Sequence, residues 1–224
     1  MNQADAALLL QQLPLFMAAV LVLNATPGVD VLLTVSRPAR GGVRAGLLSA
    51  LGIAAGCALH VLAVAFGLAA LLAWSAGAFT LLKWLGAAYL AWLGYGLLRE
   101  AWRGGAAAPV DPRPLPAVSA AAEFRRGLLS NLLNPKVLLF MLAFLPQFVP
   151  AQLPHKTAAL LLLGALFVLQ SLLFLLVLVA LTARLARLAR TPVLAGSGRW
   201  LQGLSGLLFV ALAARLAGSR ISPA

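Results

Sequence analysis

Of this chain's 224 residues, 62% are hydrophobic and only 10% are charged, against about 25% charged in soluble domains. That balance excludes a water-soluble fold and makes the chain an integral membrane protein. The net charge of +12 does not point to nucleic acid, because the arginines stand at the ends of apolar runs rather than along an amphipathic face, and Cys57, the single cysteine, excludes an intramolecular disulfide and reads as a small packed hydrophobe.

The first predicted element is a span from about Ala7 to Val35. Met1 to Pro14 carries no Lys or Arg, so it lacks the basic leader of a secretory signal, and the expectation is that this run stays as a span. It is too long for a straight helix across a ~30 Å hydrocarbon core, and Pro27-Gly28 lies inside it, followed by Asp30, the only charge between Ala6 and Ser36. Proline removes an intrahelical hydrogen bond, and in hydrocarbon the freed groups need partners within the protein or a wet cavity. A break plus a carboxylate at membrane depth therefore reads as a site; the plainer alternative is a proline kink with Asp30 near the interface. Arg37 to Arg44 is expected as a short basic loop.

Ala45 to Leu82 carries no formal charge and is nearly two spans long. With Trp74-Ser75-Ala76-Gly77 as the divider, span 2 is about Gly46 to Ala73 and span 3 about Thr80 to Leu98. Gly52, Gly56 and His60 recur every fourth residue on one face of span 2, a spacing that lets another backbone approach closely, whether inside the chain or at a homodimer seam. Arg99 to Arg126, with Pro109, Pro112, Pro114 and Pro116, reads as an extended linker. Span 4, about Gly127 to Phe148, is again broken, at Asn134-Pro135-Lys136. Span 5 is about Thr157 to Thr182 and span 6 about Trp200 to Leu216. The loops after spans 1, 3 and 5 hold twelve basic residues and the opposite side four, which places the linker in the cytoplasm and both termini in the periplasm.

Residues 1–224 thus read as a single all-α transmembrane domain of six helices: a first three-helix half at 7–98, the linker at 99–126 and a second half at 127–217. Span 1 enters from outside and span 4 from inside, so halves of shared fold must be inverted. Asn24 stands three residues before Pro27 as Asn131 stands three before Asn134-Pro135, and Lys83-Trp84-Leu85 is echoed by Arg199-Trp200-Leu201. Broken helices 1 and 4 at matching positions fit the inverted-repeat transporter plan.

In that plan half-helix N-termini suit a carboxylate, and unwound carbonyls with a fixed acid suit an ammonium. Asp30 and Lys136 supply one charge of each sign, so the predicted site recognises a zwitterion and comprises Asn24, Pro27, Gly28, Asp30, Asn131, Asn134, Pro135 and Lys136; a structural ion pair is the alternative. Asp30 and His60 are candidates for proton coupling. For His60, which titrates near neutrality when unperturbed, a neutral ring bonded to a neighbouring carbonyl is the competing reading. Gln147 and Gln170 read as helix glue. No nucleophile elbow, phosphate loop, metal-ligand spacing or cysteine pair is present, so neither an enzyme nor a cofactor or metal site is expected.

Three motifs carry a family likeness. Thr26-Pro27-Gly28-Val29-Asp30 resembles a T-P-G-P-[ND] signature in span 1, with Val29 at the usual second proline and Asp30 where many members carry Asn. Leu82 to Gly94 is similar to a span-3 signature, and Phe124 to Phe148, with Asn131, Asn134-Pro135-Lys136 and Pro146-Gln147-Phe148, is similar to an F-x-x-G…N-x-x-N-P-K…P-Q-F block. On these motifs the chain resembles the LysE/RhtB family of bacterial amino-acid exporters. The resemblance implies efflux of amino acids such as homoserine, threonine, lysine or leucine across the bacterial inner membrane, driven by the proton gradient. The alternatives are an exporter of divalent metal or other small cations and a non-transporting membrane assembly protein.

Overall fold

The computed structural model describes residues 3–26, 28–74, 76–103, 119–149, 153, 155–188 and 198–218. Every regular element among them is a helix: α1 (Gln3–Ala25), α2 (Val29–Trp74), α3 (Ala76–Arg103), α4 (Ala120–Leu132), α5 (Pro135–Phe144), a 3-10 turn (Leu145–Phe148), α6 (Lys156–Leu188) and α7 (Gly198–Gly218). This is what a bilayer demands, since a helix satisfies its own backbone where no water can.

Three stretches are long and apolar enough to cross a membrane unaided: Gly42–Gly67, Thr80–Arg103 and Lys156–Arg184. Two more arise from bent pairs, Leu9–Ala25 with Val29–Pro38 at 61° and Ala120–Leu132 with Pro135–Phe148 at 53°. Both expected breaks are therefore present, although Pro27 itself lies outside the described residues. The predicted sixth span is helical, but the apolar stretch Gly206–Gly218 is shorter than a full crossing.

Two boundaries differ from expectation. Arg37 to Arg44 is a kink between two helical stretches rather than an open loop: helical geometry fails at Gly42, with φ 79°, where the crossing stretch Gly42–Gly67 begins, while Val29–Pro38 belongs to the first bent pair. Lacking a Cβ, glycine takes this left-handed conformation without steric cost. The linker is also shorter than 99–126, because α3 reaches Arg103 and α4 starts at Ala120, where Ser119 accepts the Ala122 N–H as N-cap; its four prolines fall in 104–118, outside the described residues.

Lipid tails are as apolar as leucine, so helices in a membrane associate through close packing and interhelical hydrogen bonds rather than through burial from water. Phe16, Phe140, Phe144, Phe148 and Phe209 are fully buried. Their rings interleave, with Phe140 to Phe144 at 4.4 Å and Phe16 to Phe148 at 5.3 Å between centroids. Elsewhere backbones touch through glycine. A Cβ on Gly52 would collide with the Phe124 carbonyl, one on Gly127 with the Ser49 carbonyl, and one on Gly56 would lie 3.0 Å from Asn131 Oδ1. The small-residue face of span 2 is thus spent inside the chain, against α4. Helices α3 and α7 make a second such crossing, where Gly94 and Gly206 would each place a Cβ 2.8 Å from the other's carbonyl oxygen.

Substituting Gly52→Ala or Gly127→Ala should therefore cost about 1–3 kcal/mol through overpacking. Gly96→Ala, which meets nothing within 4 Å, should be tolerated. Thermal unfolding of the detergent-solubilised variants checks this contrast, and equal midpoints for all three would contradict the packing described.

Candidate functional site

The second break is encoded locally. Asn134 accepts the Lys136 N–H through its side chain at 3.1 Å, and Pro135 takes the first helical position of α5. Asparagine is a favoured N-cap and proline a favoured first residue, because the first helical N–H has no intrahelical acceptor. On the other side of the break the Asn134 N–H bonds the Asn131 carbonyl at 2.9 Å. At the first break, Thr26 closes α1 by donating its hydroxyl to the Val22 carbonyl at 2.7 Å, and Gly28 accepts from the Leu32 N–H at 2.9 Å as α2 begins.

The two breaks meet. Asn131 Nδ2 donates to Asp30 Oδ2 at 2.9 Å and Asn134 Nδ2 to the same oxygen at 3.5 Å. Asp30 Oδ1 is buried and bonds no described residue. Asp30 lies in the first turn of α2, where the helix dipole favours a carboxylate. Asn24, Gly28, Asp30, Asn131, Asn134 and Lys136 line one cavity of about 60 Å³, whose apolar wall includes Ile53, Phe167 and Leu175. The Lys136 ammonium lies against Gly28, 3.4 Å from where a Cβ would stand, and does not come within the 4.0 Å of an ion pair with Asp30. The structural ion pair offered as an alternative is thus not formed: the charges face a shared space, and the asparagines hold the acid.

Of the predicted site residues, six share this cavity. Pro135 is exposed at the start of α5 and does not line it, because its role is to begin the helix. Pro27 lies outside the described residues. His60 does not line the cavity either; its Nε2 sits 3.2 Å from the Asn131 carbonyl oxygen. A carbonyl only accepts, so Nε2 carries the hydrogen, as in the competing reading of this residue. Gln170 does act as helix glue, donating to the Met17 carbonyl at 2.9 Å across α6 and α1, whereas Gln147 bonds within its own segment, to Ala143.

Sequence reasoning missed two contributors to the site and one buried pair outside it. Ser171 on α6 donates to Asn24 Oδ1 at 3.0 Å, and Asn24 Nδ2 is buried without an acceptor. Cys57 packs as expected but on the cavity wall. Arg37 and Glu123, each buried, pair at 3.3 Å. The last had a signal, since Glu123 is one of only five acids in the chain.

Two broken helices thus meet at a largely apolar cavity that holds a carboxylate, an ammonium and three asparagines, and comparison with known proteins bears on what such a chain does. The profile of the LysE type translocator family matches residues 21–220. The chain belongs to this family. It is thus a multi-pass member of a transporter family, in keeping with the motif likeness. It is similar to an uncharacterised membrane protein of Vibrio cholerae, 37% identical over 62% of this chain and 66% of the relative. It is also similar to the homoserine/homoserine lactone efflux protein of Salmonella typhimurium, 35% identical over 63% of this chain and 66% of that protein. An uncharacterised membrane protein of Pseudomonas aeruginosa is 36% identical over 66% of this chain and 68% of its own length. The chain thus spans about two-thirds of the length of these relatives. No solved structure matches it.

Asn134→Ala should lower stability by about 1 kcal/mol through the lost helix cap, while Asn134→Asp, which can still cap, sets a second carboxylate beside Asp30. The expected order of thermal midpoints is native above both variants. A midpoint for Asn134→Ala at or above that of the native chain would contradict the capping role.

Proposed function

We propose that this translocator exports amino acids or close derivatives across the bacterial inner membrane, driven by protons, with the substrate held in the cavity between the two breaks. One observation carries this reading: a buried carboxylate oxygen of Asp30 without a donor among the described residues shares one cavity with Lys136, where four helix ends converge. The N-termini of α2 and α5 favour a substrate carboxylate, together with Lys136. Asp30 Oδ1 and the carbonyl-rich ends of α1 and α4 favour its ammonium. The Salmonella relative, named for homoserine and homoserine lactone efflux, supports a small amino-acid cargo.

In this reading the six predicted spans form two inverted halves, with α7 as the sixth, the linker in the cytoplasm and both termini in the periplasm. The cavity of about 60 Å³ has room for several waters beside its polar groups. Loading requires one half to rock against the other around the site. Asp30 is the proton carrier, because it alone of the cavity-lining residues is an acid.

Vesicles loaded with radiolabelled homoserine or threonine test this. Asp30→Asn and Lys136→Met should each weaken apparent affinity roughly 10- to 100-fold, the scale of a hydrogen bond to a charged group, about 1.5–3 kcal/mol. Unchanged export with an unchanged response to an imposed pH gradient in Asp30→Asn would sink the assignment. Coupling has its own readout. At saturating substrate, Asp30→Asn should retain exchange of internal for external substrate but lose uphill efflux, and a variant that still concentrates substrate places the proton elsewhere.

A further inference from the structure

Arg37 and Glu123 have no part in the site just described, yet they are among the most deeply placed charges in the chain, each 4% exposed. Arg37 Nε lies 3.3 Å from Glu123 Oε2, and the Ser49 hydroxyl donates to the same oxygen at 3.3 Å. The pair joins the first half of the chain to the second. At 1.5 Å per residue, the seven residues from Asp30 to Arg37 span about 10 Å, and the eight from Asn131 back to Glu123 span about 12 Å. The two half-helices that meet at Asp30 and Asn131 are therefore tied a second time, towards the face where α3 ends and α4 begins.

The backbone contacts of Gly52 with Phe124 and of Gly127 with Ser49 lie in the same stretch, so a path that ran between α2 and α4 from the linker face to the cavity would have to part them. The tie is also incompletely satisfied, because Arg37 Nε and Nη1 are both buried without a hydrogen-bond acceptor among the described residues. A buried pair gains little net stability, its attraction being offset by desolvation, and one with an orphan donor gains less. Such a contact closes a path without locking it.

We propose that the Arg37–Glu123 pair is the linker-side gate of the transport path, parting when the cavity opens to that face and re-forming behind the cargo. This rests on the transporter reading above, but its test needs no knowledge of the cargo. Cys57, the only cysteine, is buried and lines the cavity, so its modification by a membrane-impermeant thiol reagent reports access. The reagent is added to intact cells and to inverted vesicles; Arg103→Cys in a Cys57→Ala chain fixes which preparation exposes the linker face. Glu123→Gln should speed Cys57 modification from that face about tenfold and leave the other face unchanged. The swap of Arg37→Glu with Glu123→Arg should return the rate towards native. Arg215→Gln serves as control, since Arg215 ties α7 to Gln12 of α1 and the Gln147 carbonyl elsewhere in the bundle, and it should not raise linker-side access. An unchanged rate in Glu123→Gln, a rise equal from both faces, or a swap that stays open would each overturn the gate. If the gating pattern holds while amino-acid export fails, the cargo assignment falls and the gate stands.

Discussion

The arrangement depends on one carboxylate held by two amides. Asp30 belongs to the helix that follows the first break and Asn131 and Asn134 to the segment around the second, so their hydrogen bonds fasten together the two places where the backbone ladder is interrupted. An interrupted ladder in hydrocarbon is costly unless its free groups are answered inside the protein. Here each break satisfies its own backbone groups locally, and the side chains of the second hold the acid of the first. Asn131 is the common point: its side chain holds Asp30, its carbonyl receives His60 from α2 and the Asn134 N–H, and its amide oxygen lies against Gly56. Removing the Cβ at position 56 is what allows α2 to come close enough for His60 to reach that carbonyl.

Much of this was legible in the residue order because the signals are rare in a membrane chain. Proline, glycine and a lone charge stand out in an apolar run, so Pro27-Gly28-Asp30 and Asn134-Pro135-Lys136 announced both breaks and the polarity of the cavity. Asn134-Pro135 also encodes its own geometry as cap and first helical residue. What stayed hidden depends on tertiary pairing. Arg37 looks like any arginine at the end of a span, and counting basic residues by side files it as a loop residue; only the fold brings Glu123 to it. Ser171 is a small polar residue of a kind common in spans, and its partner Asn24 is 147 positions away in sequence. Arg37 to Arg44 does divide two helical stretches, as its glycines and proline suggest, but the division is a kink at Gly42 rather than an open loop.

The same logic divides the molecule into two kinds of contact. Phenylalanine rings and glycine crossings give close packing without polar atoms, and in lipid this is the attraction that remains when burial from water is no longer available. Polar contacts are few and placed where segments of different halves must keep register: Asp30 with Asn131, Arg37 with Glu123, Gln170 with the Met17 carbonyl, Arg215 with Gln12. Each crosses between the first half of the chain and the second.

Gly42 bears on how such a structure moves. Among the described residues it alone has a positive φ, and no neighbour lies within 4 Å of where its Cβ would be. The segment 29–41 is therefore attached to the rest of α2 by a swivel already free of helical constraint. The joint lets Val29–Pro38 leave the axis of Gly42–Gly67, and Pro38 packs back on Gly46 beyond it. Asp30 and Arg37 thus share one short helical arm, set off from the long crossing stretch by a single glycine.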